Sequence, residues 1–598
     1  MTTVSDCVMK FVADRGVKHL FMLSGGGCMH LVDAVGRCRE IEYVCNLHEQ
    51  ACSIAAEAYG QYTNNLGVAL VTTGPGGTNA VTGVAGAWLD SIPCLYISGQ
   101  VKRPDMKGNI GVRQLGFQEI GIVDVVSPIT KYAVCITDPK TVRHHLEKAV
   151  YLAKSGRPGP VWVDIPLDVQ AAEVEWNDLR GFKPEKLKKN TMLYRQVNDA
   201  IGLLNESERP VLLAGNGIRH ANASGEFLRL VKMLNIPVLT TWKAADLIAE
   251  SHPLYVGRPG AIGQRGANFA QQNSDLFLSI GARLDLGQTA YSHKNFARMA
   301  KKVVVDVDSS EIKKLSMSVD VPVCSDAGEF INEFIRQSDK VEARGDSGWL
   351  KRCKEWQMRY PVVLPKYWSQ KRGVSTYVLV DVLSDEMPRG STLVPGSSGA
   401  CSEITLQAFR VKEGVRVFNT PGLGSMGYGI PAAIGGCLAS GSKKTVCIEG
   451  DGGFVMNIQE LETVKRIGLP IKFFVLDNGG YGSIMNTQRN YFSGRLVGSD
   501  AKSSVTLPDV KKVAKAFGIK ATCITNHKDI RRRVRSILDS NGAVVCEVKV
   551  ASNELTAPRV TSMRKPDGTM VSKPMEDLWP LLGRDEFAAN MLVPPVDE

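Results

Sequence analysis

The residues best placed to do chemistry are Asp451 and Asn478, a carboxylate and an amide that close two successive apolar runs. The first run, TVCIEGDGG at 445–453, ends in Gly450-Asp451-Gly452-Gly453. The second, LPIKFFVLDNG at 469–479, ends in Asp477-Asn478-Gly479 and is followed by Gly480. A Gly-rich turn between strand and helix leaves backbone N–H groups free to cradle phosphate, helped by the helix N-terminus. Neighbouring parallel strands deliver their C-terminal ends to one sheet edge, so Asp451 and Asn478 can meet there. Two hard oxygen ligands, supplemented by diphosphate oxygens and water, describe a magnesium or calcium site. A further acidic candidate lies far upstream. Glu49, in NLHEQACSIAAEAYG at 46–60, opens a helix-length segment, where the helix dipole alone would favour a Glu.

The elements that must position these groups alternate along the chain. Short β-branched runs are separated by helix-length segments, which predicts α/β layers on mainly parallel sheets. At 598 residues the chain is too long for one core. Three doubly wound domains are expected at 1–172, 193–340 and 373–555, with a tail over 556–598. The middle block carries PVLLAG (210–215), IPVLTT (236–241), DLFLSIG (275–281) and KVVVDVD (302–308). Blocks one and three share a pattern: VALVTTGPGG at 68–77 and TVCIEGDGG each end in Gly-x-Gly-Gly, and a proline restarts the next strand. Common α/β punctuation and an ancient duplication account for this equally well.

Composition narrows the class. The net charge is +11, densest in KPEKLKKN (183–190) and KDIRRRVR (528–535). Neither run is interleaved with aromatic residues, so both read as solvated faces rather than a nucleic-acid footprint. The 14 Cys contain no CxxC pair and read as free thiols in a reducing compartment. No apolar run approaches the roughly 18 residues of a membrane helix. Asp6, Lys10 and Asp14 interrupt the window a signal peptide keeps apolar, so a cytoplasmic protein is expected, with no membrane partner.

The GDGG turn followed by an Asn at the next strand end resembles the signature of thiamine-diphosphate enzymes. The second Asn of that family's usual Asn-Asn falls on Asn478, with Asp477 in place of the first. The resemblance implies Mg2+ held by Asp451, Asn478 and the backbone carbonyl of Gly480. It implies thiamine diphosphate contacted by Gly25, Gly26, Pro75 and Asn79 in block one. In block three the contacts would be Gly396, Ser397 and Ser398 of PGSSGA (395–400), with Gly424, Met426, Gly452 and Gly453. The segment around Glu49, followed by GPGGTNAVTG (74–83) and SIPCLYISGQ (91–100), is similar to the family's catalytic-glutamate region. Glu49 would then shift the cofactor's aminopyrimidine towards its imino form, which deprotonates the thiazolium carbon. Met426, in NTPGLGSMGYGIPAAIGG (419–436), takes the place of the side chain that bends the cofactor. In this family the glutamate and the metal ligands of one site come from different subunits, implying a homodimer or homotetramer.

The likeness is strongest to the acetolactate synthase branch. LLAGNGI (212–218), GARLD (281–285) and VDVDSSEI (305–312) are similar to its flavin-binding segments, which implies FAD lined by Arg157, Gly215, Asn216, Gly217, Arg283 and Asp306. In that branch the flavin takes no redox part in the reaction. Gln118, in GFQE at 116–119, would lie near the bound intermediate. Two positions depart. Where the branch carries an Arg that pairs with the acceptor's carboxylate, this sequence has Gly287, and where it carries a pocket-narrowing Trp, this sequence has Thr487. Losing a charge-paired donor and an indole favours a larger, less charged acceptor. RQLGFQEI (113–120) and SKPMEDLWPLL (572–582) resemble flavin-containing carboligases of the yersiniose-biosynthesis type. The expected function is therefore a decarboxylating carboligase. It would convert pyruvate to a bound two-carbon enamine and transfer that unit to an acceptor carbonyl such as a nucleotide-linked keto sugar. The alternatives are acetolactate synthase, joining two pyruvates, and a non-catalytic regulatory paralogue, which should lack Glu49 or the metal pair.

Overall fold

Runs rich in Val, Ile, Leu and Phe become central parallel strands because helices cover both of their faces. The computed structural model describes residues 2–185, 190–345, 348–397, 399–564 and 567–596. Within them the apolar runs form three six-stranded sheets, every pairing parallel.

The first sheet holds β1 (His19–Met22), β2 (Glu42–Cys45), β3 (Gly67–Val71), β4 (Cys94–Gln100), β5 (Tyr132–Cys135) and β6 (Pro160–Pro166), in spatial order β2-β1-β3-β4-β6-β5. The second holds β7 (Pro210–Ala214), β8 (Val238–Thr240), β9 (Tyr255–Gly257), β10 (Leu276–Ile280), β11 (Lys301–Asp306) and β12 (Val321–Cys324), in order β9-β8-β7-β10-β11-β12. The third holds β13 (Thr392–Pro395), β14 (Arg416–Val417), β15 (Thr445–Gly450), β16 (Ile471–Asp477), β17 (Lys520–Ile524) and β18 (Val544–Lys549), in order β14-β13-β15-β16-β18-β17. Counted within each domain, the first and third sheets have the same permutation, so the likeness read from their turns extends to topology. The middle sheet has the order of dinucleotide-binding folds, which reverses between β7 and β10.

The first and third domains share a core. Helix α1 (Glu49–Thr63) packs on α3 (Gly429–Ala439), with α2 (Pro75–Leu89) alongside α1. The α1–α3 approach is too close for a side chain at Gly435, where a Cβ would lie 2.1 Å from the Ala55 carbonyl oxygen.

All three domains meet at a buried polar cluster. Lys243, following β8, donates to Gln61 Oε1 at 2.6 Å, the Asn419 carbonyl at 2.9 Å and Asp90 Oδ2 at 3.3 Å. Gln61 also donates to Glu57 and, at 3.1 Å, to Tyr428 Oη. Burial pushes the Glu57 carboxyl up to about 8 against the pull of Lys243. A carboxyl raised in the folded state adds stability below its unfolded pKa and loses it as pH rises through the folded value. Stability should therefore fall between about pH 4.5 and 8 by several kcal/mol. Glu57→Gln should flatten that part of the profile, which denaturant midpoints from pH 5 to 9 would measure. An unchanged slope would remove Glu57 as its source.

The segment FVMNIQELETVKRIG (454–468) after the GDGG turn has helical composition, but the chain there forms two helices, α4 (Asp451–Met456) and α5 (Glu460–Ile467). Asn457 breaks it, with φ −133°, and its Nδ2 donates to the Gly427 carbonyl at 2.8 Å and to Gln50 Oε1 at 3.2 Å. An Asn side chain that bonds elsewhere competes with helix continuation. The basic run at 528–535 is a solvated, ion-paired face, with Arg531 to Asp385 at 2.6 Å and Arg535 to Glu386 at 2.7 Å. Residues 186–189 of the other basic run lie outside the described residues. Among the described residues no helix is long and apolar enough to cross a membrane.

Candidate active site

The strand ends of the first domain build one half of the site. The turn after β2 leads into α1, whose first residue is Glu49, and His48 Nδ1 caps the helix by accepting from Gln50 N at 3.0 Å. Glu49 is 7% exposed, and its Oε2 accepts from Asn79 Nδ2 at 3.0 Å. Asn79 lies in the first turns of α2, which starts at Pro75 after Gly74 turns the chain with φ 67°. Gly25 packs on Thr72, where a Cβ would come within 2.5 Å, and the space around Gly26 is open. Gln118 is exposed, with a left-handed φ of 61° and its carbonyl against Gly74. Glu49, Asn79, Pro75, Gly25, Gly26 and Gln118 thus gather on one edge.

The third domain builds the other half. Strands β15 and β16 pair in register, Gly450 opposite Leu476, so Asp451 and Asn478 emerge side by side. Asp451 Oδ2 accepts from the backbone N–H of Asn478, Gly479 and Gly480 at 3.2, 2.9 and 3.2 Å, and Oδ1 from Gly452 N at 2.9 Å. Asn478 Oδ1 is buried with no hydrogen-bond partner, which is costly unless a ligand supplies one. Burial, and then the charge of Asp477, push Asp451 up to about 6. An orphaned amide oxygen beside a crowded carboxylate is the donor set a hard divalent cation satisfies, and the Gly480 carbonyl lies on the same turn. Asp477 itself pairs with Lys549, an ionic contact that the usual Asn could not make.

Around this pair lie the remaining expected contacts. Gly396 and Ser397 follow β13, while Ser398 lies outside the described residues. A Cβ on Gly396 or Gly453 would fall 2.3 or 2.5 Å from the Glu449 carboxylate, which fills the space beneath both turns. Glu449 also accepts from Gly429 N at 2.9 Å and Gly450 N at 3.0 Å, and burial pushes it up to about 7. Gly424 turns with φ 62°, and Met426, half-buried, brings its methyl to 3.5 Å from the Cβ position of Gly452. The sequence reading missed Glu449; its signal was an acid inside an otherwise apolar strand. Among the described residues, no hydrogen bond or ion pair joins Glu49 to Asp451, Asn478 or Met426.

A cavity of about 1960 Å³ lies where the middle domain faces the other two, lined by Asn216, Gly217, Arg283 and Asp306 of the middle domain and by Arg157 of the first. It opens where the strand order reverses, which is where such sheets bind dinucleotides. Gly215 backs the cavity against Gly281, whose carbonyl oxygen would lie 2.0 Å from a Cβ there. Arg157 is held by Glu311 and, at 3.4 Å, Asp308, and Arg283 donates to the Leu89 carbonyl at 2.9 Å. Asp306 ends β11, and burial pushes it up to about 6. Gly287 lies on the cavity rim, exposed. Thr487 is exposed on α6 (Gly482–Tyr491), its hydroxyl donating to the Ser483 carbonyl at 3.0 Å.

Comparison with known proteins agrees with this layout. Residues 2–126 match the thiamine pyrophosphate enzyme N-terminal TPP binding domain, 197–334 its central domain and 397–548 its C-terminal TPP binding domain. The acetolactate synthase large subunit of Cyanidium caldarium is 31% identical, covering 91% of this chain and 92% of that protein. The acetolactate synthase of Arthrospira platensis is 32% identical, covering 91% and 94%. Acetolactate synthase 2, chloroplastic, of Nicotiana tabacum is 32% identical, covering 93% and 83%.

Proposed function

This chain belongs to the thiamine pyrophosphate enzymes, as an acetolactate synthase-like enzyme, and we propose that it joins a two-carbon unit from pyruvate to a second carbonyl compound. The observation that carries this reading is the intact pair of half-sites: Glu49 held by Asn79 on one edge, Asp451 beside the orphaned Asn478 oxygen on the other. A non-catalytic paralogue would be expected to have lost one of them.

When bound, thiamine diphosphate supplies the nucleophilic carbon and the electron sink for decarboxylation. The chain does the rest. Asp451, Asn478 and the Gly480 carbonyl would hold Mg2+, and the turns at Gly396–Ser397 and Gly452–Gly453 would receive the diphosphate. Met426, packed beside Gly452, would wedge the bound cofactor, and Glu49 would hydrogen-bond the pyrimidine ring nitrogen and pass its proton to it. FAD is proposed for the middle cavity, supported by its strand-order position and by the Gly215–Gly281 close approach. Assembly as a homodimer or larger is proposed, supported by apolar residues left exposed beside the glutamate edge: Leu47 at 47% and Phe117 at 86%.

The names of the relatives support pyruvate as the second carbonyl compound, giving acetolactate. A second reading, a larger acceptor such as a nucleotide-linked keto sugar, is favoured by Gly287 and Thr487, which place no cation at the first position and no ring at the second. Purified protein given pyruvate alone separates the two. Rapid acetolactate formation establishes the first. Slow turnover, accelerated by a bulky aldehyde or keto sugar with the adduct seen by mass, establishes the second. A yellow flavin spectrum after purification tests the cavity.

A further inference from the structure

The third domain also grips the glutamate turn of the first. Glu460, the first residue of α5, is fully buried. Its Oε2 accepts from Asn46 Nδ2 at 2.8 Å and from Thr463 Oγ1 at 2.8 Å, and its Oε1 accepts from Leu47 N at 2.8 Å. Asn46 and Leu47 are the two residues just before the His48 cap, so this carboxylate fixes the turn that aims Glu49. Arg466, later in α5, donates to the Cys45 carbonyl at the end of β2. Asn457, at the break between α4 and α5, joins Gln50, next to Glu49, to the Gly427 carbonyl, next to Met426. The segment 457–460 therefore reaches both the glutamate and the wedge, and α4 before it begins at Asp451.

A carboxylate is costly to bury, and this one has no cation within ion-pairing distance among the described residues, only neutral donors from the turn it holds and from its own helix. Packing alone would be served better by an apolar residue. We infer that Glu460 is a positioning residue for Glu49: from the third domain, it sets the start and direction of α1 and hence the aim of the catalytic carboxylate. This rests on the proposed role of Glu49.

The test uses full-length protein with thiamine diphosphate and Mg2+, and reads exchange of the cofactor's C2 proton for deuterium by quench and NMR, with cofactor affinity measured by fluorescence titration. Glu460→Gln keeps shape and one acceptor oxygen; exchange should slow about tenfold, with affinity changed less than about threefold. Glu460→Ala should slow it further. The double variant Glu49→Gln/Glu460→Gln should be no slower than Glu49→Gln, because one residue acts through the other. Normal exchange in Glu460→Gln, or losses that multiply in the double variant, would overturn the positioning role and leave the function standing. Normal exchange in Glu49→Gln would overturn both. Should Glu460→Ala fail to fold, the Gln variant and the double variant still decide.

Discussion

Glu49→Gln lowers kcat on pyruvate by about 10²–10⁴-fold, the range a positioned proton-transfer group contributes, while thermal unfolding stays within a few degrees of the parent. The argument is local. Glu49 is buried at the first position of α1, and its one side-chain partner among the described residues is the Asn79 amide. A Gln oxygen can accept from that same amide, so packing and the α1–α2 contact survive. What changes is the other end of the group, where a carboxyl able to accept and hold a proton becomes an amide that cannot. The loss should appear equally in kcat and kcat/KM, since it concerns the step rather than pyruvate binding. Steady-state kinetics on pyruvate with saturating cofactor check it, and activity within a factor of three of the parent would remove Glu49 from the mechanism.

Asn478→Ala gives the second large effect, through the metal. The Asn478 side-chain oxygen is an orphan in this fold, and its removal breaks no protein hydrogen bond made by that atom. Stability should therefore hold or rise slightly, since an unsatisfied buried acceptor costs about 1–3 kcal/mol. Magnesium-dependent cofactor binding should instead weaken by roughly a hundredfold or more, as expected when one of few fixed oxygen ligands is lost. Activity should partly return at high Mg2+. Asp451→Asn should behave differently. Both Asp451 oxygens accept from backbone N–H groups, Oδ2 from three and Oδ1 from Gly452, so either orientation of an amide there sets its nitrogen against a donor. Both the turn and the metal should be lost, with no rescue by Mg2+. Calorimetric titration of Mg2+ and cofactor distinguishes the two variants; identical Mg2+ dependence for Asn478→Ala and the parent would dismiss the site.

Some of this was written locally in the chain. The Gly-rich ends of β15 and β16, the Asp and Asn they carry, and the apolar runs that become parallel strands are all set by nearest neighbours in sequence. Period and turn chemistry suffice for them. The middle domain's strands were equally legible, and their order places the cavity mouth, although the first and third domains supply part of its wall. The likeness of the first and third domains showed in their turns and is matched by their sheets.

Other features depended on which elements meet in space. Glu460 and Leu47 are 413 residues apart, and Gln50 and Asn457 are 407 apart. No local pattern marks such partners. Asn457 reads as one more helical residue until Gly427 and Gln50 arrive to take its side chain. Glu449 reads as an oddity in a strand until the Gly396 and Gly453 turns close over it. The sequence by itself determined the strands, their Gly-rich ends and the proposed ligand pair Asp451 and Asn478. Only the tertiary structure decided what holds that pair and Glu49 in place. Hydrogen bonds act over about 3 Å, and only folding brings such distant residues within that reach.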